Sequence, residues 1–175
     1  IIGMRDFWTI SLRVTPDVLI PRPDTETLIE AAIDHFGSRA PSRILDLGTG
    51  SGALLLAALD HWPQAMGLGV DISPAALAVA QGNAERLGMG ARAAFRLGDW
   101  GQGVQGPFDL VLINPPYIAQ DAALAGDVLC EPPGALFAGA QGLDDYRRIV
   151  PVLPSLLASE GMAAIEIGYD QREGV

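Results

Sequence analysis

An alternation of strand-like and helix-like segments between residues 43 and 167 constrains the fold of this 175-residue chain more than any other feature. Short apolar runs bounded by glycine and proline predict strands at 43–47, 66–72, 91–97, 108–113 and 161–167. Helix-like segments occupy 53–62, 73–87 and 144–159, the last with two prolines, Pro151 and Pro154, that must kink or split it. Strand and helix alternate four times. This order predicts an α/β fold, a doubly wound and mostly parallel sheet with helices on both faces.

The first 42 residues follow a different pattern. Apolar and polar residues alternate over 7–14, which predicts a half-buried strand belonging to a hairpin. Asp24 or Thr25 is suited to cap the next helix, which Gly37 ends. We therefore predict a β-hairpin and linker over residues 1–23 and one larger domain over residues 24–175.

Composition and charge exclude several classes of protein. No run approaches the roughly 18 apolar residues of a membrane span, and the first residues lack the order of a secretion signal. The single cysteine, Cys130, cannot form an internal disulfide, which favours a reducing, cytoplasmic setting. The net charge is −10 and the one adjacent basic pair is Arg147-Arg148, so the chain lacks the clustered cations of a nucleic-acid binder. Nothing in the sequence resembles a metal-binding cluster.

Four groups of residues with functional chemistry follow the first four predicted strands of the sheet. They are Gly48–Gly52, Asp71, Asp99-Trp100 and Asn114–Tyr117. Because the carboxyl ends of parallel strands share one edge, and ligands bind beyond that edge, we expect all four groups to line one pocket. The loop over 114–141 is longer than a plain connection and is typical of a lid or a binding loop.

The first three groups have the chemistry of an adenosine site. Gly48–Gly52 lets the backbone approach a ligand, although its G-x-G-x-G spacing differs from that of dinucleotide binders and also suits a plain tight turn. Asp71 can accept hydrogen bonds from both ribose hydroxyls, or it can cap the helix that starts near Ser73. Trp100 offers an aromatic wall and Asp99 an acceptor for an adenine amino group; core filling is the alternative for Trp100. No phosphate-binding lysine motif is present, which favours a ligand without pyrophosphate.

The fourth group reads Asn114-Pro115-Pro116-Tyr117. The prolines have no N–H and a fixed φ, and Pro115 moves Asn114 out of the helical region. The side-chain oxygen of Asn114 and the carbonyl of Pro115 can then accept both hydrogens of a flat –NH2 group, with the ring of Tyr117 beside it. A strand that is simply ended by prolines would carry the same residues.

Together these segments resemble the S-adenosyl-L-methionine-dependent methyltransferases, and more closely the HemK-type protein-glutamine N5-methyltransferases. The resemblance covers nearly the whole chain and is carried by Asp46–Gly52, Asp71–Ser73, Gly98–Trp100, Asn114–Ile118, Leu19–Glu26, Glu131-Pro132, Gly142–Asp144 and Glu166–Gly168. It implies a Rossmann-like fold and methyl transfer from S-adenosyl-L-methionine to a glutamine side-chain nitrogen. The implied protein substrate is a peptide chain release factor, methylated at its Gly-Gly-Gln motif.

The resemblance also implies roles for individual residues. Gly48, Thr49, Gly50, Ser51 and Gly52 would hold the methionine end of the donor, Asp71 its ribose, and Asp99 and Trp100 its adenine. Asn114 would contact both donor and substrate. Pro115, Pro116 and Tyr117 would complete the substrate site, with Asn114, Pro115 and Tyr117 as the catalytic group.

Four alternatives stay open at this stage. A sister group methylates a ribosomal protein, and adenine or cytosine amino-methyltransferases share the Asn-Pro-Pro-Tyr turn. A nucleotide-binding module or NAD-dependent oxidoreductase would leave that turn without a role, and a catalytically silent binding scaffold is the fourth alternative. The resembling family also has a small helical domain before this region and further strands after it, so we expect both to be missing here.

Overall fold

A computed structural model describes residues 3–118, 132, 136 and 138–175. The strands in these ranges are β1 (Gly3–Phe7), β2 (Ile10–Val14), β3 (Arg43–Leu47), β4 (Met66–Asp71), β5 (Ala93–Leu97), β6 (Phe108–Ile113) and β7 (Leu157–Ile165). The α-helices are α1 (Thr27–Phe36), α2 (Ala53–His61), α3 (Pro74–Arg86), α4 (Asp144–Ile149) and α5 (Leu153–Leu156), and 3-10 turns cover Pro23–Glu26 and Val150–Val152. No helix in the described ranges is long and apolar enough to cross a membrane.

Strands β3 to β7 form one sheet in the order β5-β4-β3-β6-β7, and every neighbouring pair is parallel. The chain builds outward from β3 to β5, crosses back through turns at 98–107, and then adds β6 and β7 on the other side of β3. The predicted α/β, doubly wound fold is therefore confirmed. The strand order reverses between β3 and β6, which is where open parallel sheets bind their ligands.

The sheet separates two hydrophobic cores. In β6, Leu110 and Leu112 belong to the core that contains α1, α2 and the hairpin, whereas Val111 and Ile113 belong to the core that contains α4 and α5. All four side chains are fully buried. A strand buried on both faces must be apolar at every position, which explains the continuous apolar run in the sequence.

The N-terminal segment is a two-stranded hairpin whose turn interrupts the predicted strand over 7–14. Strand β1 pairs with β2 antiparallel, with Phe7 opposite Ile10, so the prediction of one strand was wrong at Trp8. Trp8 has a φ of 53°, and its N–H donates to the Glu26 carboxylate at 2.9 Å. Phe7 packs in the core with α1 and α2. The division into 1–23 and 24–175 stays a prediction.

Two predictions about helix ends were also wrong. Neither Asp24 nor Thr25 caps a helix by its side chain in the described structure, because both lie inside the 3-10 turn. The prolines divide the C-terminal helix as predicted, but the chain becomes extended at Leu157 instead of continuing helical to Ser159. Leu157 pairs with Phe108 at the edge of the sheet, and this pairing replaces the last helical turn.

Candidate active site

A cavity of about 410 Å³ opens at the carboxyl ends of the sheet strands, at the reversal between β3 and β6. Nine of the predicted site residues line it: Gly48, Thr49, Gly50, Ser51, Asp71, Asp99, Trp100, Asn114 and Pro116. Gly52, Pro115 and Tyr117 are not among its lining residues. The structure therefore brings members of all four sequence groups to one cavity, while three individual residues are not part of its lining.

The glycine-rich loop between β3 and α2 contacts the aromatic wall of the cavity. Gly48 has a φ of +76°, and a Cβ added there would lie 3.0 Å from the Trp100 ring. Glycine is required here both by the backbone and by the ring. A Cβ at Gly52 would instead meet Leu56 at 3.1 Å and Ala80 at 3.3 Å, so Gly52 serves the packing of α2 against α3.

Asp71, at the end of β4, ties the loop to the sheet. One carboxylate oxygen accepts a hydrogen bond from the Gly50 N–H at 2.8 Å, and the other accepts one from the Ser73 N–H at 2.9 Å. The helix cap itself is the Ser73 hydroxyl, which accepts from the Ala76 N–H at 3.2 Å. Each oxygen of a carboxylate has two lone pairs, so Asp71 keeps acceptor capacity toward the cavity.

Asp46 is a lining residue to which the sequence reasoning gave no role. It is 1% exposed at the end of β3, and its Oδ2 accepts a 2.6 Å bond from the Thr49 hydroxyl. Its Oδ1 has no hydrogen-bond partner in the described part of the chain. Burial, with a smaller contribution from the charge of Asp71, raises the pKa of Asp46 to about 7 against the opposing effect of the Thr49 hydroxyl. An acidic residue near a strand end, two positions before a glycine-rich turn, was the available signal.

This raised pKa predicts a pH-dependent stability. Below a pH of about 4, Asp46 is protonated in both the folded and the unfolded state. Between pH 4 and about 7 only the unfolded state ionises, so the free energy of unfolding falls as the pH rises and levels off above the folded pKa of about 7. Three pH units correspond to a loss of about 4 kcal/mol. Asp46→Asn should remove this slope, so urea unfolding at pH 4.5 to 8 should show the wild type losing stability relative to the variant. A constant difference between the two proteins would contradict the shift.

Residues of α4 bind Trp100, which forms the aromatic wall of the cavity, and the neighbouring Asp99. Trp100 Nε1–H donates to Asp145 at 3.1 Å, and Arg148 forms ion pairs with both Asp145, at 3.3 Å, and Asp99. Asp99 also accepts a bond from Gln102 at 3.1 Å. Asp145 and Arg148 line the cavity and were missed by sequence reasoning, because they lie some 45 residues further along the chain than Trp100.

Asn114 follows β6 and contacts the 3-10 turn that precedes α1, and both Asn114 and Thr25 line the cavity. Its Nδ2 donates to the Thr25 hydroxyl at 3.1 Å, and Thr25 is 4% exposed. Behind Asn114, the Tyr117 hydroxyl donates to Glu166 Oε1 at 3.2 Å, while Glu166 Oε2 is buried with no hydrogen-bond partner among the described residues.

Burial raises the pKa of both Tyr117 and Glu166. It raises the pKa of Tyr117 to about 12, so the hydroxyl stays a donor at neutral pH. It also raises the pKa of Glu166, against the pull of the Thr25 and Tyr117 hydroxyls. Among the predicted residues of the long loop, Pro132 lines the cavity, whereas Cys130 and Glu131 lie outside the described residues.

Comparison with known proteins agrees with this geometry. A sequence model of a methyltransferase domain family matches residues 39–146, and the chain belongs to that family. In fold it is similar to the ribosomal protein L11 methylase of Lactobacillus delbrueckii subsp. bulgaricus, with a TM-score of 0.61 and 24% identity over 87% of this chain and 65% of that one. An O-methyltransferase fold from Nostoc punctiforme gives a TM-score of 0.58 at 21% identity, covering 81% of this chain and 36% of the other.

More specific similarity is found among curated proteins. The chain is 50% identical to the release factor glutamine methyltransferase of Rhodospirillum rubrum, over all of this chain and 54% of that protein. It is 45% identical to the protein of the same name in Caulobacter vibrioides, over all of this chain and 62% of that protein. The chain therefore spans between half and two thirds of the length of these relatives.

Proposed function

We propose that this chain carries the catalytic site of a protein-glutamine N5-methyltransferase that uses S-adenosyl-L-methionine and modifies the Gly-Gly-Gln glutamine of peptide chain release factors. One observation carries the proposal: the Asn114 carboxamide and the glycine-rich loop line the same cavity. Relatives named for this reaction match the chain from end to end. Since release factors act during translation, the proposed place of action is the cytoplasm.

The residues of the cavity fit the methyl donor. The backbone at Gly50 leaves room for a ligand beside the loop, since a Cβ there would meet nothing nearer than 4.0 Å. The unpartnered, buried Oδ1 of Asp46 suits a cationic amino group at the methionine end, and Asp71 suits the ribose. Trp100 provides an aromatic face for the adenine. When bound, the donor supplies an activated methyl group on a sulfonium.

The chain's own contribution is mainly positioning. An amide nitrogen is a weak nucleophile because its lone pair is delocalised into the carbonyl, so alignment at short range is the main requirement. The Asn114 oxygen and the Pro115 carbonyl would accept the two N–H groups of the substrate glutamine. That contact holds the nitrogen in place and localises its electron density. Tyr117, fixed by its bond to Glu166, would pack beside the turn and limit access of water.

The direct test uses a donor with a labelled methyl group. The protein is incubated with a release factor, with the same factor carrying alanine in place of the Gly-Gly-Gln glutamine, and with duplex DNA. We expect label on the first protein alone. Label on DNA would instead indicate an amino-methyltransferase of nucleic acid, and label on both release factors would place the modification at another residue.

Removing the Asp71 carboxylate tests the assignment of the donor site. Asp71→Ala should weaken donor binding by about 1–3 kcal/mol, the scale of a lost charge-assisted hydrogen bond. Asp109→Ala is the matched control. Asp109 also accepts two backbone N–H bonds, from Ser42 at 2.8 Å and Arg43 at 2.9 Å, but it lies near the amino end of β6, away from the carboxyl ends that form the cavity. Calorimetric titration should show weakened binding for the first variant only; equal affinities would remove Asp71 from the donor site.

A further inference from the structure

The orientation of the Asn114 carboxamide decides whether it can work as proposed. A carboxamide has an oxygen that accepts and a nitrogen that donates, and a half-turn about its last bond exchanges them. The proposed reaction needs the oxygen to face the substrate amide, because a flipped Asn114 would present N–H to N–H. Something in the structure must therefore favour one of two orientations of equal shape.

The Asn114 nitrogen donates a hydrogen bond to the Thr25 hydroxyl, which accepts it at 3.1 Å. A hydroxyl can also donate, and a donating Thr25 would attract the Asn114 oxygen instead. Thr25 alone therefore does not select the orientation. The selection depends on where the hydroxyl proton of Thr25 goes.

Glu166 provides the destination for that proton. It follows β7, next to β6 in the sheet, and its N–H donates to the Ile113 carbonyl at 2.9 Å, which places it beside Asn114. An ionised carboxylate only accepts hydrogen bonds. The Tyr117 hydroxyl donates to Glu166 Oε1 at 3.2 Å, whereas the buried Oε2 has no hydrogen-bond partner among the described residues and is the acceptor available to the Thr25 hydroxyl. The Thr25 and Tyr117 hydroxyls both oppose the rise in the pKa of Glu166 and so favour its ionised form. A Thr25 hydroxyl that donates to Glu166 has only lone pairs left for Asn114.

We propose that Thr25 and Glu166 are positioning residues that hold the Asn114 nitrogen inward and thereby turn its oxygen to the substrate amide. This inference deepens the proposed function and depends on it for its catalytic consequence. The three residues come from the 3-10 turn before α1, the end of β6 and the end of β7. The relay Glu166, Thr25, Asn114 exists only when these elements are assembled.

The test compares variants that differ in one hydroxyl. Thr25→Val keeps the shape but removes the acceptor, and it should lower kcat for release-factor methylation by about 10- to 100-fold, the scale of a misplaced reacting group. Thr25→Ser keeps the hydroxyl and should retain kcat within about threefold of the wild type. Donor affinity and the KM for release factor should change little in both. Thr27→Val is the matched control, because its exposed hydroxyl bonds only the Asp24 carbonyl at 2.7 Å among the described contacts.

Glu166→Gln tests the second half of the relay. A glutamine can donate its own N–H to the Thr25 oxygen, which frees the hydroxyl to donate to Asn114 and favours the flipped carboxamide. We expect kcat to fall in the same direction as in Thr25→Val, with donor affinity retained. Equal losses in Thr25→Val and Thr25→Ser would indicate a packing role, and wild-type kcat in Thr25→Val or Glu166→Gln would overturn the proposal.

A second readout does not require any substrate. Hydrogen exchange of the Asn114 side-chain NH2, followed by NMR, should be at least about tenfold slower in the wild type and Thr25→Ser than in Thr25→Val. Fast exchange in the wild type would refute the inward orientation. Slow exchange together with no methylation of any release factor would retain the orientation and refute the proposed function, so the two failures can be told apart.

Discussion

Replacing Asn114 with aspartate is expected to lower turnover by about two orders of magnitude or more while donor binding stays near the wild-type value. The variant keeps the size of the side chain but loses the N–H group that donates to Thr25 at 3.1 Å. It also adds a second carboxyl beside Glu166, which is already partly buried and has an unpartnered oxygen. Like charges in one site raise each other's pKa, so the new carboxyl would raise the pKa of Glu166 further and oppose its own ionisation.

The measurement is kcat with saturating release factor, together with calorimetric titration of the donor. Gln81→Glu is the control for an amide-to-acid change, since Gln81 is exposed on α3 and bonds Glu85 at 3.0 Å. It should leave kcat within about twofold of the wild type. Unchanged turnover in Asn114→Asp would remove Asn114 from the mechanism.

Adding a single methyl group at Gly48 is expected to weaken donor binding by tenfold or more, about 1.4 kcal/mol or above. The new Cβ would lie 3.0 Å from the Trp100 ring, so the ring must move from its position over the loop. Asp145, which is ion-paired with Arg148, accepts the hydrogen bond of that ring, so a displaced ring would also disturb this part of the cavity lining. The backbone strain of a non-glycine residue at a φ of +76° adds a loss of stability.

Gly88→Ala separates the two effects of the substitution at Gly48. Gly88 has a φ of +73° at the end of α3, and a Cβ there would meet nothing within 4 Å. Both alanine variants should lose about 1 kcal/mol of stability in thermal unfolding, but only Gly48→Ala should lose donor affinity in a titration. If the two variants bind the donor equally well, the wall formed by Trp100 is not part of the donor site.

Local sequence signals predicted most of the elements. Strands β3, β4 and β6 are buried on both faces and flanked by glycine or proline, and Ser73-Pro74 marks the start of α3 by a cap followed by proline. The hairpin turn within 7–14 was missed because Trp8-Thr9 has none of the glycine or asparagine that marks a two-residue turn. The helix end at Leu156 was missed because pairing with a distant strand, at Phe108, determined it.

Local sequence signals also predicted the part of the candidate site that lies at the ends of the strands. Residues at strand ends could be assigned to one edge of a parallel sheet, and Gly48, Asp71, Trp100 and Asn114 do line one cavity. Side chains that reach the cavity from helices or from distant turns carried no local signal. Arg148 and Thr25 are examples, and each contacts a predicted site residue.

The amino-acid order by itself determined the alternation of strands and helices, and it determined which residue types follow the carboxyl ends of the strands. Both could be predicted because hydrophobic periodicity and turn preferences depend on a few neighbouring residues. Only the assembled structure decided that Thr25 is a partner of Asn114 and not a helix cap, and that Asp46 is buried with a raised pKa. Both outcomes depend on burial and on contacts between residues far apart in the chain. Thr25 and Asn114 are 89 residues apart, a separation that no local pattern can bridge.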